Sequence, residues 1–160
     1  MKEYINDYLV YRRYEEIMQK YGMTKTFPID YSKSVEIFEK YGDILKRNQC
    51  YMNVWKLFNK THMFDGWNVS ICFGYSIVTA YDSTICVEHA FLMTKGNEIL
   101  DITCQRKESK YFVLASFTAE EYLNFILQSE ITDLSNLRFL QELKKDFEKQ
   151  AKQKNYICVG

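Results

Sequence analysis

The 160-residue sequence has one proline, six glycines and two histidines, and its basic and acidic residues balance at 21 each. Each scarcity excludes something. With Pro28 the lone proline and no repeat or low-complexity stretch, nothing marks out a linker, so residues 1–160 read as a single domain. Zero formal net charge gives no bulk pull toward nucleic acid or a membrane surface. No apolar run approaches the ~18 residues a membrane span requires. The opening Met1-Lys2-Glu3-Tyr4-Ile5-Asn6-Asp7 has no apolar signal-peptide core. Five cysteines, Cys50, Cys72, Cys86, Cys104 and Cys158, make an odd and irregularly spaced set with no Cys-x-x-Cys pair. That is a poor disulfide framework, and a reducing, cytoplasmic setting is expected. Aromatics are abundant instead, with 13 Tyr and 11 Phe to build a core or a contact surface.

Apolar spacing predicts a helix over residues 3–20, with Gly22 as its C-terminal cap, and a second over Ser34–Lys46, weakened by Gly42. Tyr51, Val54, Trp55, Leu57 and Phe58 recur at helical spacing and predict a third helix from Cys50 to Lys60. Residues 59–67 form a loop, with Asp65-Gly66 as its turn. From Trp67 the period drops to two. Strands are predicted from Trp67 through Ile77, then over Ile85–Thr94, Glu98–Thr103 and Tyr111–Phe117, with turns at Asp82-Ser83 and Lys95-Gly96-Asn97. Thr118-Ala119-Glu120-Glu121 is a capping-box pattern opening a helix, and a last amphipathic helix starts at Ser135. Helices, then an antiparallel meander of about four strands, then helices: the class is α+β.

Three residues in this order could do chemistry together. A thiol attacks a carbonyl as a thiolate, and a helix N-terminus favours the anion. A histidine takes the proton and returns it to the leaving group, while a carboxylate behind the imidazole fixes its tautomer. Cys50 at a helix start, then His89 and Asp101 on successive strands, fill those roles. Hairpin parity provides an independent check. Pairing Thr94 with Glu98 around a three-residue loop sets His89 opposite Thr103 and Phe91 opposite Asp101, so His89 and Asp101 become diagonal neighbours on one face. Gly96 suits such a loop. A zinc site drawing on Cys72, Cys86, His89 and Cys104 is disfavoured because Cys86 and His89 point to opposite faces of one strand. No cofactor or metal is expected. Glu88 points away from His89, to solvent or the reverse face, and His62 is a loop residue.

Gln49-Cys50-Tyr51 resembles the Gly-Gln-Cys-Trp nucleophile motif of the transglutaminase-like superfamily. Glu88-His89-Ala90-Phe91 resembles its His-Ala-Trp strand, and Leu100-Asp101-Ile102-Thr103 its Asp-Pro-Thr strand. The arylamine N-acetyltransferases share the Cys–His–Asp order. The resemblance implies a papain-like core, with Cys50 on the first turn of a helix packed on an antiparallel sheet. It also implies acyl-enzyme chemistry on an amide, thioester or ester. Tyr51 and Phe91 stand where tryptophans are usual and Ile102 where a proline is, which bears on substrate preference. Cys50 would be the nucleophile, His89 the base and then the acid, and Asp101 the orienting group. The oxyanion would be held by the Cys50 N–H and a second donor among Gln49, Asn48 and Tyr51. Trp67, Tyr75 and Phe91 are candidates to shape the cleft. The expected substrate is a protein or peptide-like amide, cleaved or transferred through a thioester. The competing expectation is a catalytically silent member of the fold that binds a protein partner through tyrosines.

Overall fold

The computed structural model describes residues 25–129 and 138–159. The helix expected over 3–20 and the expected start at Ser135 lie outside them. The chain is α+β. In order it runs β1 (Phe27–Pro28), α1 (Tyr31–Lys40), α2 (Cys50–Lys60), β2 (Val69–Ala80), β3 (Ser83–Thr94), β4 (Ile99–Leu100), β5 (Lys110–Phe117), α3 (Ala119–Ser129), α4 (Arg138–Gln153) and β6 (Ile157–Val159).

Helix starts and stops follow local chemistry. Asp30 caps α1 by accepting from the Lys33 N–H, which moves the start ahead of the expected Ser34. The helix stops at Lys40 rather than Lys46. Gly42 sits in the turn that follows, and Leu45 is buried from beyond it. α2 spans the residues expected of it. The capping box forms as read, with the Glu121 N–H donating to Thr118 Oγ1 and the Thr118 N–H to Glu121 Oε1. Residues 61–67 turn through His62, Met63 and Phe64, all in the left-handed region. That conformation is costly for non-glycine residues. Burial of Phe64 against Phe58 and Trp67 holds it.

The sheet departs from a meander. Its order is β1-β5-β2-β3-β4, with β6 on β3 as well. The expectation of about four antiparallel strands is corrected to six, because β1 pairs with β5 and the terminal Ile157-Cys158-Val159 pairs parallel with Ile85-Cys86-Val87. β5 returns to pair with β2 rather than following β4. Odd-numbered β2 residues, Ile71, Phe73 and Tyr75, and even-numbered β3 residues, Ala90 and Leu92, join one core with α2, α3 and α4. Tyr75 and Phe147 stack there at 4.1 Å. The opposite face carries a smaller cluster of Cys72, Phe91, Ile99, Tyr111 and Val113. Alternation thus gave every β3 side chain its face.

Two features place the site. Thr94 donates to Glu98, and Leu92 and Met93 pair with Leu100 and Ile99, so the hairpin register is the expected one. Asn97 takes the left-handed position of this loop rather than Gly96, as a short polar side chain can. The strand expected to reach Thr103 nevertheless ends at Leu100, where Asp101 turns the chain. On its outer edge β3 therefore has two partial partners, β6 at 85–87 and β4 at 92–93. Between them residues 88–91 have no strand partner on that edge among the described residues. His89 sits in this gap.

Opposite His89, on β2, stands Gly74, at a bulge where the β2–β5 register shifts. A Cβ at Gly74 would come within 1.9 Å of the Phe112 carbonyl oxygen, a backbone clash that no rotamer relieves. Gly74→Ala is expected to cost about 3 kcal/mol or more in urea denaturation. Gly96→Ala, whose Cβ would meet nothing nearer than Thr94 Oγ1 at 3.7 Å, is expected to stay within about 0.5 kcal/mol of the parent.

Candidate active site

Cys50 is the first residue of α2. Asn53, one turn on, is buried and occupies the same side of the helix. Its amide oxygen accepts from the Lys46 N–H at 2.9 Å, and its nitrogen donates to the Lys46 carbonyl at 2.7 Å. One side chain thus clasps both polar groups of Lys46 and closes residues 46–53 into a tight approach to the helix. Asn48 takes a left-handed conformation within this loop. Asn53 also donates to Thr103 Oγ1 at 2.9 Å, which ties the start of α2 to the turn that carries Asp101.

His89 is 6% exposed and Asp101 1%. His89 Nε2 donates to Asp101 Oδ2 at 2.9 Å. The Tyr111 hydroxyl donates to the same oxygen at 2.6 Å. Oδ1 accepts from the N–H groups of Thr103 at 3.0 Å and Cys104 at 2.9 Å. These backbone bonds are what turn the chain out of β4, so the carboxylate that faces His89 is also the turn's own cap. Ser34 Oγ accepts from the Asp101 N–H and donates to the Asp30 carbonyl, fixing the turn to α1. The ring of His89 lies 6.0 Å from that of Phe91 and 6.4 Å from that of Tyr111.

The Cys50 thiol lies close enough to His89 to act on the ring electrostatically. Asp101 occupies Nε2, so Nδ1 is the nitrogen left for the sulfur. Burial works against charge on His89, but the Asp101 carboxylate and then the Cys50 thiol outweigh it and raise the imidazole well above its ordinary value. Burial likewise opposes a charged Asp101. The His89 ring, the Cys104 N–H and the Tyr111 hydroxyl overcome it and hold the carboxyl below the usual aspartate range. The pair is arranged to be ionic.

The structure therefore brings Cys50, His89 and Asp101 together, from a helix start, a strand and a turn. It separates the other named residues. Asn48 and Gln49 are exposed at the start of α2, and the Gln49 side chain makes no capping bond. Tyr51 is turned to the other side of β3, where its hydroxyl donates to Glu88 Oε1 at 2.6 Å. Phe91 is buried behind His89. Tyr75 is buried in the helix-side core, with its hydroxyl on Glu148. Trp67 lines a groove of about 360 Å³ with Lys33, Lys40, Tyr41 and Leu100, which includes neither Cys50 nor His89. Glu88 does lie on the reverse face, as its place in the strand requires. Cys86 lies on that face too, buried with its thiol pushed up to about 12.

Two contributors went unread in the sequence. Asn53 carried a signal, since it is the one polar side chain on a face otherwise made of Val54, Leu57 and Phe58. Tyr111 carried none, because its reach to Asp101 depends on β5 pairing with β2. No family model, curated protein or solved structure matches the chain.

The shifts fix a pH dependence. Asp101, held low, stabilises the fold fully above its unfolded value near ~3.9 and loses that contribution as pH falls through its folded value. His89, held high, contributes fully below ~6.5 and loses its share as pH rises through its folded value. The pair's stabilisation is greatest between about pH 4 and 6.5. Asp101→Ala is expected to lose about 3–5 kcal/mol at pH 6 by urea denaturation, and the difference from the parent is expected to shrink toward pH 2.

Proposed function

We propose that this chain is a cysteine-dependent acyl-transfer enzyme with a papain-like, transglutaminase-like core, acting on a protein or peptide-like amide. The observation that carries this reading is the buried bond from His89 Nε2 to the Asp101 carboxylate, set beside the helix start that carries Cys50, whose thiol acts on the same ring. Such an arrangement suits one task, moving a proton off a nucleophile and back onto a leaving group.

In the proposed reaction Cys50 hands its proton to His89 Nδ1, and Sγ attacks the carbonyl carbon as the thiolate. Asp101 stays ionised and stabilises the imidazolium, with the Tyr111 hydroxyl and two backbone N–H groups holding the carboxylate. The tetrahedral oxyanion develops next to the first turn of α2. There the N–H groups have no carbonyl within the helix to bond, and the Cys50 N–H is one of them. Gln49 and Asn48, exposed at that end, are the candidates for the second donor. Tyr51 is set aside because its hydroxyl is committed to Glu88. His89 then gives its proton to the departing amine, leaving a thioester on Cys50. Water completes a hydrolysis; a second amine completes a transfer.

All five cysteines are free thiols, Cys50 among them. No helix among the described residues is long and apolar enough to cross a membrane.

Thiol labelling tests the reading. An ordinary thiol is well under ~1% ionised at pH 6. Burial removes two of the other cysteines from contention, with the Cys72 and Cys86 thiols each pushed up to about 12. The exposed Cys104 is the fair control. With substoichiometric iodoacetamide at pH 6, Cys50 is expected to label about 10–100-fold faster than Cys104, and His89→Ala to erase the preference. Equal labelling of the two by peptide mass spectrometry would leave the silent, partner-binding member of the fold as the better account.

A further inference from the structure

We propose that Glu88 is a positioning residue, which through Tyr51 holds the first turn of α2, and with it the Cys50 sulfur, against His89. The proposal rests on the acyl-transfer reading of Cys50 and His89. Its starting point is what α2 lacks. Gln49 gives no side-chain cap, and the first turn has no acidic residue. Cap chemistry therefore does little to fix the first turn, although the reaction depends on where it holds the Cys50 sulfur.

Two long-range hydrogen bonds supply the constraint. Asn53 reaches Thr103, and Tyr51 reaches Glu88. Each ends beside a different member of the triad. Thr103 gives its N–H to Asp101, and Glu88 immediately precedes His89. A helix advances about 100° per residue, so Asn53 shares the Cys50 side while Tyr51 lies a quarter turn away. Tethers on two sides fix the rotation of the helix about its axis, which one tether would leave free. Because Glu88 and His89 are adjacent in one strand, the Tyr51 bond sets α2 against the backbone that carries the base.

Glu88 is built for this role rather than left at the surface. Its side chain is 14% exposed, and Oε2 meets Lys144 Nζ of α4 at 2.7 Å. The 2.6 Å bond from Tyr51 is the short kind expected when a hydroxyl donates to a carboxylate. The groups facing Glu88 are Tyr51 from α2, Lys144 from α4 and Tyr75 from β2, whose own hydroxyl donates to Glu148. Lys144 holds the second carboxylate oxygen while Tyr51 holds the first, so both ends of the carboxylate are fixed. The Tyr51 ring packs on Phe73 at 5.3 Å, and loss of the hydroxyl alone leaves that packing in place.

The test is the rate of Cys50 alkylation by iodoacetamide from pH 5 to 10, with urea denaturation alongside. It uses the parent, Tyr51→Phe, Glu88→Gln, the double variant and Lys144→Met. The parent is expected to show a low-pH limb from the sulfur paired with His89. Tyr51→Phe and Glu88→Gln should each lower that limb about tenfold while leaving the rate at pH 10 unchanged, and the double variant should fall no further than either alone. Lys144→Met should give a smaller loss in the same limb. A limb in both single variants within twofold of the parent overturns the positioning role and leaves the acyl-transfer reading standing. A limb that falls only in step with lost folding in Tyr51→Phe overturns it as well. A parent with no low-pH limb removes the acyl-transfer reading and this inference together.

Discussion

The Asp101 carboxylate accepts from His89, the Tyr111 hydroxyl and the N–H groups of Thr103 and Cys104, and most of the local architecture follows from satisfying it. A buried carboxylate is costly unless paired and hydrogen-bonded. Here the partners come from three parts of the chain: β3, β5 and the turn that Asp101 itself starts. Bonding the two N–H groups bends the chain after Leu100 and ends β4. The short β4 in turn leaves the edge of β3 open at His89. The position where the imidazole can meet a helix start is thus created by the residue that orients the imidazole.

How far this could be read from the sequence depends on whether the deciding contact was local. The α2 boundaries were legible because Tyr51, Val54, Leu57 and Phe58 keep helical spacing, and the Thr118 capping box because its two bonds span three residues. The register of the β3–β4 hairpin was legible because loop length fixes parity, and parity was enough to put His89 and Asp101 on one face. The premature end of β4 was not. Asp-Ile-Thr fits a strand by propensity, and only the capture of Thr103 and Cys104 by Oδ1 overrides it. β6 was lost for a related reason, since three residues after a long charged helix carry no period and their partner lies some seventy positions back. Tyr111 and Glu88 share that fate. Their contacts, with Asp101 for Tyr111 and with Lys144 for Glu88, come from the placement of β5 on β2 and of α4 near β3, which no short window contains.

Burial of this much charge does not by itself stabilise a protein. Desolvating His89 and Asp101 opposes both charged forms, and an apolar pair of similar volume could pack as well or better. What the ionic pair secures is uniqueness of geometry. A carboxylate with four fixed donors has one orientation, and a ring bonded through Nε2 and flanked by Phe91 and Tyr111 has little freedom left. The same holds on the reverse face, where Glu88 lies between Tyr51 and Lys144. In both places polar groups fix direction and the surrounding aromatic core supplies the cohesion.

Direction matters most for the histidine. A neutral imidazole carries its proton on one nitrogen and a lone pair on the other. Because Asp101 accepts from Nε2, the proton there stays in place in either charge state, and Nδ1 is the nitrogen left to gain or lose one. The bond that immobilises the ring therefore also decides which nitrogen would serve as the base in the proposed reaction. A ring held only by packing would sample both tautomers and be competent in one. When Nδ1 takes a proton the ring becomes cationic, and the carboxylate already beside Nε2 meets that charge without rearrangement. The cost of keeping an aspartate ionised in the interior is thus incurred during folding, and the proton transfer of the proposed reaction would proceed in an environment already arranged for its product.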